Sequence, residues 1–295
     1  PEMMKKSKKS KVVIAGSLTT KPWLYGIMEI ENDKIISIVE KPKEPSSNIK
    51  IAGIYLLPFE FFDEYEKVNK HMYDFEDALQ SLITKYEARV VLKTQETISL
   101  KYPWDLFSFA RFILDSKIEF KKNKKKTKEI SKNSHIEGDV IIGEGTKIYE
   151  NATIRGPCYI GKNCIIGNNA LIREYTTIED NCIIGANTEI TRSILQENVS
   201  IHSGFLGDSV IGKNTSIGAG LIVANKRLDR KEVCTIVKGE KINTGLKALG
   251  AIIGEDVKIG IRASIMPGSM IGNNAIIGPN AFIKGVIKDN EIFNF

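Results

Sequence analysis

The chain has 295 residues, 42% of them hydrophobic, and a formal net charge of +6, enough apolar content for two cores. The lysine excess collects in two short runs, KKSKKSK at 5–11 and KKNKKKTK at 121–128, which read as solvated terminus and linker; no nucleic-acid partner is expected. No apolar run approaches the ~18 residues of a membrane span, and VVIAGSL behind the first lysine run is a poor signal-peptide core, so no membrane partner and a cytoplasmic location are expected.

Residues 1–115 carry the pattern of an α/β domain. Strands are expected in YGIMEIEND, KIISIVE, AGIYLLP and ARVVLKT, and helices in FEFFDEYEKV and FEDALQSLITKY. Asp74 would cap the second helix, with Asp77 three residues on. The lysine-rich segment 116–134 reads as a linker to a second domain, 135–295.

That domain announces itself by period. Isoleucine stands at every sixth position from Ile136 through Ile142, Ile148, Ile154, Ile160, Ile166, Ile172, Ile178 and Ile184 to Ile190. Four residues after each comes a small or β-branched residue, among them Thr146, Ala152, Cys158, Cys164, Ala170, Thr176 and Cys182. One hexad makes a short strand and a tight turn with isoleucine inward. Three hexads close a triangular coil, and coils stack as parallel strands ~4.8 Å apart. The fold class is thus an α/β domain followed by a parallel β-helix. Cys158, Cys164 and Cys182 fill the small slot as compact hydrophobes, Cys234 lies outside the repeat, and no CxxC spacing occurs. Neither a metal nor a disulfide is expected, which suits a reducing compartment.

The register slips after Ile190, returns at Ile211, Ile217 and Val223, slips again over 224–250, and resumes from Ile253 to Ile283. A solenoid places function at such breaks, because the coil itself has only to stack. His202, in SIHSGFLGDSVIG, stands in the first break; His71 and His135 lack any such context and read as structural.

The order YGIMEI, VEKPKEPSSN, AGIYLL, FEDALQSLI, YPWDLF, joined to a hexapeptide coil, resembles the archaeal bifunctional sugar-1-phosphate nucleotidyltransferase/acetyltransferases over nearly the whole chain. The resemblance implies the second half of a nucleotidyltransferase domain, a left-handed β-helix, a homotrimer, and acetyl-CoA as co-substrate. In HSGFLGD it implies that His202 is the general base for acetylating an amino-sugar phosphate, work suited to a group with pKa ~6.5. It also implies that Arg173 and Lys231 meet the substrate phosphate, that Glu189 is an acidic neighbour, and that Asn225 faces the sugar. Phe205 stands where the family has tyrosine, Thr191 where it has lysine, and Cys234 where archaeal members carry another lysine. Ala219 and Gly278 would approach the cofactor through their backbones, with Arg262, Lys284 and Lys288 left solvated.

In the first domain the resemblance assigns Tyr25, Gly26, Glu40 and Lys41 to a vestigial sugar-phosphate site. Ile51 replaces an asparagine and Ser99 a metal-binding aspartate, so no nucleotidyl transfer is expected from this chain. The Gly-rich phosphate loop would lie upstream of Pro1, and a half-domain without it should expose a strand edge and an apolar face, covered by a nucleotidyltransferase chain if the sequence is not a fragment. Two functions from different classes stay open. One is acetyl-CoA-dependent N-acetylation of a hexosamine-1-phosphate in nucleotide-sugar biosynthesis; the other is a non-catalytic or regulatory subunit.

Overall fold

The computed structural model describes residues 1–94, 96–116 and 129–293. It divides into two compact units, Pro1–Ser99 and Leu100–Phe295. Most of the lysine-rich segment 116–134 lies outside the described residues. Among those described, no helix is long and apolar enough to cross a membrane.

The first unit is a five-stranded closed sheet with helices packed against it. Its elements are α1 (Glu2–Lys6), β1 (Val12–Leu18), β2 (Gly26–Glu31), β3 (Lys34–Glu40), β4 (Ile49–Leu56), α2 (Glu60–Lys67), α3 (Asp74–Lys85) and β5 (Ala88–Lys93). The strand β1 was not expected, although VVIAGSL is its sequence. Val12, Val13 and Ile14 are fully buried because β1 lies between antiparallel β4 and parallel β5, and a strand flanked on both sides reads as one continuous apolar run. Phe75, Ala78, Leu79 and Leu82 recur at helical spacing along α3 and turn one face to the core.

Two expectations are corrected here. Asp74 does not cap α3: Tyr73 does, without a side-chain bond, and Asp74 is the first helical residue, its carboxylate accepting from Tyr65 Oη at 3.1 Å. The negative charges of Asp74, Glu76 and Asp77 still suit the first turn, where unpaired N–H groups point outward. Nor, among the described residues, does the sheet end in an unpaired strand, since single pairings of Lys34 with Arg89 and of Ile27 with Lys50 close the ring β1-β4-β2-β3-β5. Exposed apolar side chains do occur, with Phe59 and Met72 more than four-fifths exposed.

The second unit opens with α4 (Asp105–Asp115), a segment that the sequence reading assigned to the first domain. The physical reason lies in one face of the coil. Ile194, Val210, Ile252 and Met270 stack outward in register, and Trp104, Val233 and Leu249 cover them. The PW pair therefore packs on the coil.

The coil has three parallel sheets of eight strands each among the described residues. Isoleucines 148 through 190 at hexad positions are wholly buried, each contributing ~1.5–3 kcal/mol over leaving it in water. Paired positions show why the register slips: Ile166 pairs with Ile184, Ile184 with Ile201 and Ile201 with Ile217, steps of 18, 17 and 16 residues. Corners lose residues while strands stay stacked. Asparagine holds many corners in the left-handed conformation, including Asn151, Asn163, Asn169, Asn181, Asn187, Asn198 and Asn214.

Cys158, Cys164 and Cys182 are wholly buried, and burial pushes the Cys158 thiol up to about 11. Cys182 is raised as well, first by its hydrogen bond with the Cys164 thiol and then by burial. Because a thiolate must form and be reached before it reacts, a chromogenic disulfide reagent at pH 8 is expected to label half-buried Cys234 first and the other three only on unfolding. Equal labelling of all four in the native protein would mean that the coil interior opens.

Candidate functional site

His202 sits at a corner between the strands Ser200–Ile201 and Gly204–Gly207. Backbone N–H groups of Ser131, Tyr149, Gly167, Gly185, His202, Gly218, Gly260 and Gly278 bond to successive coils and stack these residues in one column. From Gly167 onward every member but His202 is glycine, and the cause is steric. A Cβ on Gly185 would overlap the carbonyl oxygen of His202, and one on Gly218 would lie 2.9 Å from the Gly260 carbonyl carbon. His202 interrupts this column at a shortened corner, five residues from Ile201 to Leu206 where Ile184 to Ile190 takes six, and its side chain is exposed. A groove of about 580 Å³ opens beside it, lined by Ile183, Ser216, Gly218, Lys258, Gly260 and Ile276 as well as the histidine. Ala219 follows Gly218 in the chain and is half-buried. Gly278 is buried one coil below Gly260.

The strand that follows carries the other residues. Glu189 pairs with Phe205, which pairs with Ile222, so these side chains form an outward ladder on one sheet. Arg173 joins it from the previous coil, its Nη1 donating to Glu189 Oε1 at 2.9 Å with Nε 3.6 Å from Glu174. At the far end, Asn225 Nδ2 donates to Asp208 Oδ2 at 2.5 Å. Gly207 lies beneath both neighbours: a Cβ there would stand 2.7 Å from Asn225 Nδ2 and 3.0 Å from Phe205 Cζ. Arg173, Glu189, Phe205 and Asn225 are thus brought onto one surface. Lys231 is exposed on the excursion with its backbone N–H on Asp229, and among the described residues no hydrogen bond joins it to the ladder.

One residue that the sequence reading passed over sits in this cluster. Arg192 donates from Nε to Asp208 Oδ1 at 2.7 Å, from Nη2 to Asp208 Oδ2 at 2.9 Å, and from Nη1 to Thr191 Oγ1 at 3.0 Å. The left-handed residues flanking it in this corner are Tyr175 and Asp208, not asparagine, so no repeated pattern marked it in the sequence. Asp208 also binds the excursion's return, its carbonyl accepting from Gly250 N–H at 2.8 Å.

In the first unit, Gly26 pairs with Glu40 across β2 and β3, and the Lys41 N–H bonds to the Tyr25 carbonyl at 3.0 Å. A Cβ on Gly26 would lie 2.7 Å from Glu40 Oε2. Lys41 Nζ reaches Tyr73 Oη at 3.3 Å, and this bond, then Glu40, holds its ammonium above the ordinary lysine range. All four sugar-site candidates are therefore together. Lys50 was also missed: it is 1% exposed, donates to Thr97 O at 2.7 Å and Ser99 Oγ at 3.0 Å, and stands 4.3 Å from the Tyr25 ring centroid.

Comparison with known proteins matches both units. Residues 2–104 match the Nucleotidyl transferase family, 154–260 the GMPPB C-terminal domain, and 250–285 the bacterial transferase hexapeptide repeat. A "Bifunctional protein GlmU" of Methanococcus maripaludis strain C7 is 45% identical over 285 residues, 94% of this chain and 68% of that protein. The chain belongs to the bifunctional sugar-1-phosphate nucleotidyltransferase/acetyltransferase family. Other members of this bifunctional family match similarly: a "Bifunctional protein GlmU" of Methanococcus aeolicus at 39% identity, covering 92% of this chain and 66% of that one, and a "Bifunctional sugar-1-phosphate nucleotidylyltransferase/acetyltransferase" of Sulfurisphaera tokodaii at 34%, covering 95% and 70%. The chain thus spans about two thirds of the length of these family members. Nucleotidyl transfer in general needs a metal ion to neutralise the phosphates, and the residues around Ser99 do not fit one. The buried ammonium of Lys50 already places a positive charge on the Ser99 hydroxyl, where a second cation would be repelled.

Proposed function

We propose that the second unit transfers an acetyl group from acetyl-CoA to the amine of a hexosamine-1-phosphate, with His202 as general base. The observation that carries this reading is the histidine that stands between Gly185 and Gly218 in a run of glycine corners and lines a groove. The acceptor nitrogen attacks the thioester carbonyl carbon, the carbon–sulfur bond breaks, and coenzyme A leaves as thiolate. His202 takes the proton that the nitrogen sheds and returns it to the sulfur or to water. Arg173 and Lys231 serve the phosphate, Asn225 orients the sugar, and Glu189 holds Arg173 in place.

The groove suits the pantetheine arm, with Gly218 and Gly260 as its glycine wall and Ala219 next to Gly218 in the chain. Exposed Ile183, Ile276 and Ile292 beside it favour assembly as a homotrimer, each copy covering its neighbour's apolar face. The first unit, with Lys50 against Ser99, is read as a vestigial sugar-phosphate module or a docking piece for a nucleotidyltransferase chain.

Purified protein incubated with acetyl-CoA and glucosamine-1-phosphate or galactosamine-1-phosphate is expected to release free CoA thiol in an amine-dependent way. No release with either acceptor, from a properly assembled oligomer, would overturn the enzyme reading in favour of a regulatory or scaffold subunit.

A further inference from the structure

We propose that Arg192, held in place by Asp208, supplies the oxyanion contact for the acceptor's phosphate that Thr191 does not. This rests on the acceptor being a sugar phosphate. Thr191 is 2% exposed and offers a hydroxyl, which already accepts from Arg192 Nη1. The guanidinium therefore covers the position. Three of its five N–H donors are engaged, by two Asp208 oxygens and by Thr191, which leaves one on each terminal nitrogen. Two donors in a planar fork match two oxygens of a phosphate. The side chain is 27% exposed, enough to meet a ligand while fixed by the near-buried carboxylate beneath.

Backbone conformation supports a role beyond packing. Arg192 has φ 46°, a left-handed corner at which asparagine or glycine would be less strained, and Asp208 directly under it has φ 49°. Arg173, the other arginine on this face, is turned toward Glu189 and Glu174. Asp208 couples the two sides of the site: one of its oxygens accepts from both Arg192 and Asn225. Asp208 is thus a positioning residue, acting on phosphate and sugar through the groups it holds.

The test compares glucosamine-1-phosphate with unphosphorylated glucosamine as acceptors. Arg192→Asn puts at this corner the residue that the coil uses at Asn198 and Asn214, so the fold should tolerate it. The expected result is a roughly ten- to hundredfold fall in the ratio of kcat/KM for the phosphorylated over the plain amine, mostly through KM, with partial recovery in Arg192→Lys. An unchanged ratio, or an equal loss with both acceptors, would overturn the proposal and leave Arg192 a packing residue. If the wild-type protein releases no CoA with either acceptor, the acetyl-transfer reading fails, and calorimetric titration with glucosamine-1-phosphate decides Arg192 by itself. Weaker binding by Arg192→Asn than by wild type would sustain the contact; equal binding, or none by wild type, would overturn it.

Discussion

Replacing His202 by alanine is expected to lower amine-dependent CoA release by ~10²–10⁴, the usual worth of a positioned general base, while leaving the unfolding transition where it was. The second half of that expectation follows from the site. The imidazole is exposed, and the residue's structural contribution is a backbone N–H donated to Ile217 O at 2.9 Å, which alanine retains. Loss of rate without loss of stability separates chemistry from folding. A pH–rate profile adds a second reading, since the limb that reports the base should vanish in the variant. Turnover equal to wild type would remove His202 from the mechanism and leave the groove without an assigned base.

The second large effect lies in the coil. Ile172 is wholly buried between Ile154 and Ile190 in the stacked ladder, and Ile172→Ala is expected to cost ~2–5 kcal/mol in denaturant unfolding. A solenoid gives each coil only its two neighbours, so a cavity at one level weakens the interfaces above and below it. The outward ladder of Arg173, Glu189 and Phe205 is built on these same strands, and loosening them should also raise KM for the acceptor. A loss below ~1 kcal/mol would mean that the corners relax inward and fill the space.

Much of the second unit was legible because its rule is local and repeated. Each inward isoleucine meets another copy of itself one coil away, so a six-residue period suffices to predict which side chains are buried, as Ile148 through Ile190 are. The cysteines followed from the same rule, since a slot that takes alanine and threonine takes a buried thiol. His202 could be singled out because it stood where the period failed. The structure adds why failure there is tolerated: the corner is one residue shorter, and its neighbours in the column are glycine.

The rest depended on contacts between segments distant in sequence. VVIAGSL resembles any short apolar run until β4 and β5 flank it, and the PW segment sits with the coil because an apolar outer face there needed covering. Lys50 looks like an ordinary strand lysine, yet Thr97 and Ser99, nearly fifty residues away, receive its ammonium in a buried place. Arg192 and Asp208 are sixteen residues apart and meet only because consecutive coils stack. By itself, then, the sequence determined the coil, its inward and outward residues, and the break at His202, since hydrophobic periodicity is read within a few residues. Only the tertiary structure decided which charges meet, because ion pairs and buried cations are set by distance in space, which no period in the chain records.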